Sequence, residues 1–440
     1  MSVEPEGKLK RKITGPLLYL FILGDVLGAG IYALVGEIAA ESGGAIWAPL
    51  FVALVLSMLT AASYAELVSK YPKAGGTAIF AERAFRSPLV SFLVGFCMLA
   101  AGVTSAAGLS IAFAGDYLST FFDAPTIVVA LAFLALVALL NARGIKESVQ
   151  ANVAMTSVEL TGLLLVIVAA ALFVGTGNGE VSRLGDFPED ATPASAILAG
   201  SLLAYYSFVG FEVSANVAEE VIDTPRIYPR ALFAALLTAG IIYLLLGVLS
   251  SIAIDTNDLA GSSSPLLDVV AATGFAVPDW LFSLVALIAV ANGALLTMIM
   301  SSRLAYGMAE QGLLPAALGR VLPKRGTPWV AILATTLVAM ALTLTGDLAT
   351  LAKTVVLLLL FVFFSTNLAA IVLRRDKVKH QHFKVAPPIP YLGLASCLLL
   401  MSQQDAGIWL RAGLLIVIGV LLYVGTRFFS TARHRRSIMR

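Results

Sequence analysis

Residues 14–40 read TGPLLYLFILGDVLGAGIYALVGEIAA. The run is long and apolar enough to cross a bilayer, which takes about 20 residues. It nevertheless carries Gly28-Ala29-Gly30 near its middle and Asp25 three residues earlier. Glycine costs about 1 kcal/mol in a helix interior, and a backbone that unwinds at membrane depth must be buried in protein or line a cavity. The stretch is predicted to be a discontinuous membrane helix, the plainer alternative being a small-residue face for close helix packing. A second run of this kind lies at 194–218, where Ser207-Phe208-Val209-Gly210-Phe211-Glu212 sets a glycine and a carboxylate deep in apolar sequence.

Outward from these two runs, the 440 residues are 59% apolar and 13% charged, against about 25% charged in an ordinary soluble domain. Apolar runs predict an all-α membrane protein with twelve spans, near 14–40, 46–69, 88–115, 125–142, 152–175, 194–218, 230–253, 279–302, 328–345, 348–373, 388–404 and 407–426. The first run follows Lys8, Lys10, Arg11 and Lys12 but is too long for a signal-peptide core, so it is expected to be retained. Ser264–Thr273 is expected to form a short interfacial helix.

The same residues exclude several classes. A net charge of +2 gives no field for nucleic acid. Cys97 and Cys397 sit in apolar runs and the three histidines in basic segments, so neither a disulfide framework, a metal site nor a histidine-based catalytic site is expected. There is no phosphate-binding glycine loop, hence no ATP-driven pumping on this chain and no cofactor.

Orientation follows from Lys and Arg. With the N-terminus (1–13) inside, 26 of 29 basic residues fall on the cytoplasmic side, including a basic tail at 427–440; only Arg183, Lys353 and Arg411 lie outside. A cell-membrane protein with both termini cytoplasmic is expected.

Gly28 and Gly210 are 182 residues apart, in the first and sixth spans. Those are corresponding places in two five-helix halves, 14–175 and 194–373, with two further helices at 388–426. Five crossings return the chain on the opposite side, so the second half must be inverted. Discontinuous helices in matching positions of inverted halves point to a transporter's binding site. The half-helix starting near Ile31 aims N–H groups at the midplane, which favours a carboxylate. Carbonyls around Tyr206 to Val209 accept from an ammonium group. One anion nest and one set of carbonyls suit a zwitterion, which points to amino acids.

The sequence resembles the amino acid–polyamine–organocation (APC) transporters over nearly its whole length. The resemblance rests on Gly28-Ala29-Gly30-Ile31-Tyr32, on Tyr71-Pro72-Lys73-Ala74-Gly75-Gly76-Thr77, and on Phe208-Val209-Gly210-Phe211-Glu212 with Ala218-Glu219-Glu220 and Pro225-Arg226-Ile227-Tyr228-Pro229-Arg230. Ser302-Arg303-Leu304 with Gly312-Leu313-Leu314-Pro315 completes it. It implies the LeuT-type fold of five plus five helices, with Gly28, Ala29 and Gly30 on the substrate carboxylate. Ser207 and Val209 would offer carbonyls to the amino group, and Tyr206 would be a gate or lid, standing where arginine–agmatine exchangers place a tryptophan. Thr297 falls where those exchangers have another pocket tryptophan, a departure that weakens arginine specificity. Asn152, Thr156 and Glu159 follow a fifth-helix pattern that ends on lysine in many relatives. Glu159 cannot replace that cation, and is left to bind sodium, accept a proton or pair with a basic group.

The leading expectation is a permease for amino acids or related amines. The alternatives are a polyamine or cationic amino acid exchanger and a non-transporting nutrient sensor on the same fold. Intramembrane carboxylates are functional candidates by default. Glu212 is the first choice for a coupling proton, then Glu159. Asp25 is a candidate for a proton, a sodium ion or the substrate's amino group. The plainer reading holds Glu212 and Glu159 by backbone N–H groups or by Arg303 or Lys146.

Overall fold

The structure, a computed structural model, describes residues 13–72, 76–143, 148–262, 264–275, 277–323 and 325–438. Lys73, Ala74, Gly75 and Lys146, named above, lie outside them, as does residue 1–12 of the N-terminal segment.

The first half contains α1 (Gly15–Leu27), α2 (Ala29–Ser42), α3 (Trp47–Lys70), α4 (Gly76–Phe85), α5 (Pro88–Phe113), α6 (Asp116–Ser119), α7 (Thr126–Arg143) and α8 (Ser148–Gly175). There follow α9 (Pro193–Ser207), a 3-10 segment Phe211–Glu220, α10 (Thr224–Ala253), α11 (Thr256–Ala260), α12 (Pro265–Ala272) and α13 (Asp279–Glu310). The chain closes with α14 (Trp329–Thr343), α15 (Leu348–Val372), α16 (Pro388–Ser402) and α17 (Ala406–Ile438).

Helices lie over all twelve predicted runs. Among the described residues nine are long and apolar enough to cross a membrane, and the bent pair of α1 and α2 makes a tenth. α14 and α16 are apolar but only 15 residues each. α12 stands where the short helix at Ser264–Thr273 was expected.

The differences lie at helix ends. α10 begins at Thr224, not 230, and α13 runs to Glu310, not 302, so Arg226, Arg230 and Arg303 are helical. Hydropathy stops at the first charges, whereas the backbone ladder continues past the apolar slab. α4 was not foreseen; at 10 residues it is too short for a span, and it buries Thr77, Phe80 and Ala81 on one side.

Small residues set the helix spacing, as they do where lipid supplies no driving force for association. A β-carbon on Gly24 would meet the Thr156 hydroxyl, one on Gly240 would meet Leu54, and one on Gly102 would meet Ser301. These contacts join α1 to α8, α10 to α3 and α5 to α13. A buried polar knot also ties three helices: Ser63 of α3 donates to Asn367 Oδ1 of α15 at 2.6 Å, and Asn367 lies against Gly393 of α16.

Candidate functional site

Both glycine-bearing runs break. α1 and α2 meet at Gly28 with a bend of 41°. α9 stops at Ser207, and the chain resumes as the 3-10 segment after Gly210, whose φ is +125°. The two breaks pack against each other. A β-carbon on Gly30 would stand 2.9 Å from Ser207 Cα, and one on Gly210 would stand 2.7 Å from the Asp25 carbonyl oxygen. Only glycine permits both that approach and that φ. Gly28 is different: its φ is −51° and an added β-carbon would find nothing nearer than 3.6 Å.

Each break exposes helix ends, and the structure assigns partners to part of them. Glu212 Oε2 accepts from the Gly210 N–H at 2.9 Å. The carboxylate thus caps the start of its own 3-10 segment, where negative charge is favoured. Tyr243 of α10 donates its hydroxyl to the Val26 carbonyl (2.5 Å) and lies 3.2 Å from the Ser207 carbonyl, so one buried hydroxyl serves the ends of both α1 and α9. The Tyr206 carbonyl accepts from Val209 N–H at 3.0 Å. Asp25 Oδ2 and Ser207 Oγ are buried and have no hydrogen-bond partner among the described residues. An uncompensated buried polar group is costly, so these two atoms mark where a ligand gains most.

A cavity of about 1260 Å³ opens from the breaks. Its wall contains Asp25, Gly28, Gly30, Tyr206, Ser207, Val209, Gly210, Glu212 and Thr297, and it continues outward to the exposed Glu82, Arg86 and Gln311. The Tyr206 hydroxyl bonds with Ser105 Oγ of α5 at 2.7 Å across the inner end. Two nominated residues are elsewhere: Ile31 is fully buried in packing, and Glu159 lies behind the wall with no solvent exposure. Ala29 is in the first turn of α2, and its side chain is outside the described set.

The amino acid permease family model matches residues 17–433. The chain belongs to the amino acid permease family. It is therefore a multi-pass membrane transport protein of the APC superfamily, not an enzyme. It is 26% identical to the branched-chain amino acid permease BcaP of Bacillus subtilis, across 96% of this chain and 94% of that one. Identity is 30% with the vacuolar cationic amino acid transporter 4 of Arabidopsis thaliana, across 83% of this chain and 64% of that one. The low-affinity putrescine importer PlaP of Escherichia coli is 27% identical, across 78% and 76%.

The contacts of Asn292, Tyr32, Tyr243 and Ser105 in this permease escaped the sequence reading. Asn292 of α13 donates to Glu159 Oε1 at 2.9 Å, and the Tyr32 hydroxyl donates to the Glu159 carbonyl at 2.7 Å. Among the described residues Glu159 therefore meets an amide rather than a basic group, and its Oε2 has no partner there. An amide inside the apolar run 279–302 was the available signal. Tyr243 and Ser105 gave none, since a tyrosine or serine in a span is ordinary. On the far side of the packed breaks a second cavity of about 760 Å³ is lined by Glu37, Asp123 and Asp347. Beside it Lys353 of α15 pairs with Glu41 of α2 at 2.6 Å.

Proposed function

We propose that this permease is a secondary active transporter that carries amino acids or related amines by alternating access, as a proton-coupled symporter. The observation that carries the reading is the meeting of two broken helices in the wall of one cavity, beside an unpartnered carboxylate oxygen and an unpartnered hydroxyl. Free N–H groups at the start of α2, near Gly28, Ala29 and Gly30, receive the substrate carboxylate. Asp25, Ser207 and the Val209 carbonyl face its amino group. Tyr206 closes the inner end, and Thr297 with Val209 leaves side-chain space.

The twelve helices are read as two inverted halves of five plus two. Packing supports this, because contacts come in mates when α1/α2, α3, α5, α7 and α8 are exchanged for α9, α10, α13, α14 and α15. α1 on α10 has its mate in α9 on α3; α5 on α7 in α13 on α14; α8 on α13 in α15 on α5; and α1 on α8 in α9 on α15. The cavity mouth, at Arg86 and Gln311, is on the side holding most Lys and Arg, so this state is open to the cytoplasm. The Glu41–Lys353 pair closes the external side. Glu212, Glu159 and Asp25 are the coupling carboxylates, with sodium as the alternative ion.

The test uses full-length protein in proteoliposomes with labelled leucine, lysine and putrescine, each measured with and without an inward proton gradient and with and without sodium. Gradient-driven accumulation of at least one probe is expected, and in Glu212→Gln or Glu159→Gln it disappears while counterflow exchange persists. Binding without flux would refute transport. Uptake that ignores pH and requires sodium would move the carboxylates to sodium ligation.

A further inference from the structure

Asp25 and Glu212 come from different halves of the chain, yet both adjoin Gly210. A β-carbon on Gly210 would stand 3.3 Å from Asp25 Cγ, and the Gly210 N–H is the donor to Glu212 Oε2. Both side chains belong to the wall of the same cavity. Like charges at such a site do not both ionise readily, and a hydrogen bond to a carboxylate favours its charged form. The two are unequally provided for. Glu212 has a backbone donor and the start of a helical segment; Asp25 Oδ2 has no partner.

We infer that Asp25 and Glu212 form one proton site at the contact of the broken helices, in which Glu212 keeps the charge and Asp25 carries the proton. This rests on the proposed reading of the cavity as substrate and coupling site, and it changes the order expected from sequence, which put Glu212 first. Protonation takes the pair from two negative charges to one; the proton enters from cavity water onto the Asp25 carboxylate and leaves by the same group when access changes sides. The groups facing Asp25 fit this assignment. They are Glu212 on the 3-10 segment, beside the shared Gly210, and Tyr243 of α10, bonded next door at Val26, with Glu159 of α8 behind the wall; among the described residues no Lys, Arg or His forms an ion pair with Asp25. Arg303 of α13 lines the same cavity farther toward its mouth. Because Asp25 rides on α1 and Glu212 on the segment after α9, separating the breaks separates the pair. The penalty on a second charge then falls, and the proton is released. Main-chain bonds between Ile13 and residues 220 and 222 tie the far ends of the same two elements, which leaves the break as the place where the two carboxylates can part.

Infrared difference spectra of the full-length protein in bilayers test this without any substrate, by following the carbonyl-stretch band of a protonated carboxylic acid during a pH titration. Wild type and Glu159→Gln should show the band at neutral pH, and Asp25→Asn should lose it. In Glu212→Gln the neighbouring charge is gone and the ionised form of Asp25 is penalised less, so the band should weaken at neutral pH and return on acidification. A band that survives in Asp25→Asn overturns the assignment, as does one abolished at every pH in Glu212→Gln. Should Asp25→Asn fail to fold, Glu212→Gln decides alone, since a band insensitive to it also overturns the pair. Failure of all probes to be transported by wild type, with the band behaving as expected, would reject the transport reading and leave the proton pair standing.

Discussion

Replacing Gly210 by alanine adds one methyl group where the two breaks touch. The native φ of +125° is one that side-chain-bearing residues rarely adopt, and the new β-carbon would sit 2.7 Å from the Asp25 carbonyl oxygen and 2.9 Å from its carbon. Both neighbours are main chain, so no rotamer change relieves the contact. Backbone strain of about 1–3 kcal/mol and overpacking of about 1–3 kcal/mol together give about 2–6 kcal/mol. If all of it falls on the state in which the breaks touch, even the lower bound shifts a two-state balance about 30-fold away from it. Counterflow exchange of whichever labelled probe the wild type transports, beside thermal unfolding of the purified protein, reads both consequences. Gly210→Ala should lose at least about tenfold in exchange rate and melt several degrees lower. Gly28→Ala, whose added carbon finds nothing within 3.5 Å, should stay within about twofold. Equal behaviour of the two variants would refute the claim that contact between the breaks, rather than glycine as such, governs the site.

Tyr243→Phe removes the donor shared by the Val26 and Ser207 carbonyls and should cost about 1–3 kcal/mol of stability. Because Tyr243 is absent from the cavity wall, the apparent affinity for a transported probe should hold within about twofold while the maximal rate changes; a large rise in KM alone would contradict this placement. In the segment after α15, burial pushes His382 below the ordinary histidine value, and Lys70 and Lys384 add to the effect. Its folded form sheds the proton first, so its contribution to stability is held in full above pH of about 6.5 and is lost as the pH falls from there through the folded value. Histidine-labelled NMR of the full chain, assigned with His382→Ala, should show it titrating below an ordinary histidine, and a midpoint at or above about 6.5 would oppose it.

Composition and glycine placement made much of this permease readable. An apolar run must become a helix in lipid, because no other segment satisfies its own backbone there; hence a helix over each of the twelve predicted runs. The breaks were legible because Gly28-Ala29-Gly30 and Gly210 sit where a continuous helix has no use for them. What a chain position does with the break was less legible. Gly28 and Gly30 look equivalent in sequence, but only Gly30 is pressed against another backbone, and that depends on where Ser207 falls in space. Likewise the donors of Glu212 and Glu159, Gly210 N–H and Asn292, lie two and 133 residues away. Nearness along the chain would have suggested the first. No period or composition suggests the second.

The cap that Glu212 places on its own 3-10 segment makes the two halves unequal. A carboxylate tethered two residues from the N–H it accepts acts as a built-in competitor. Its local concentration exceeds the millimolar range of an ordinary flexible tether, so dissolved anions do not displace it. On the proposed reading of two inverted halves, each break offers one such pole; Glu212 takes up the one on its own segment, and the one at α2 is left to the substrate. On that reading cargo meets a seat with a single polarity and should be held head first, in one orientation. A solute bearing two carboxylates would then bring its second one against a resident negative charge, so acidic amino acids should be the poorest competitors in an uptake panel.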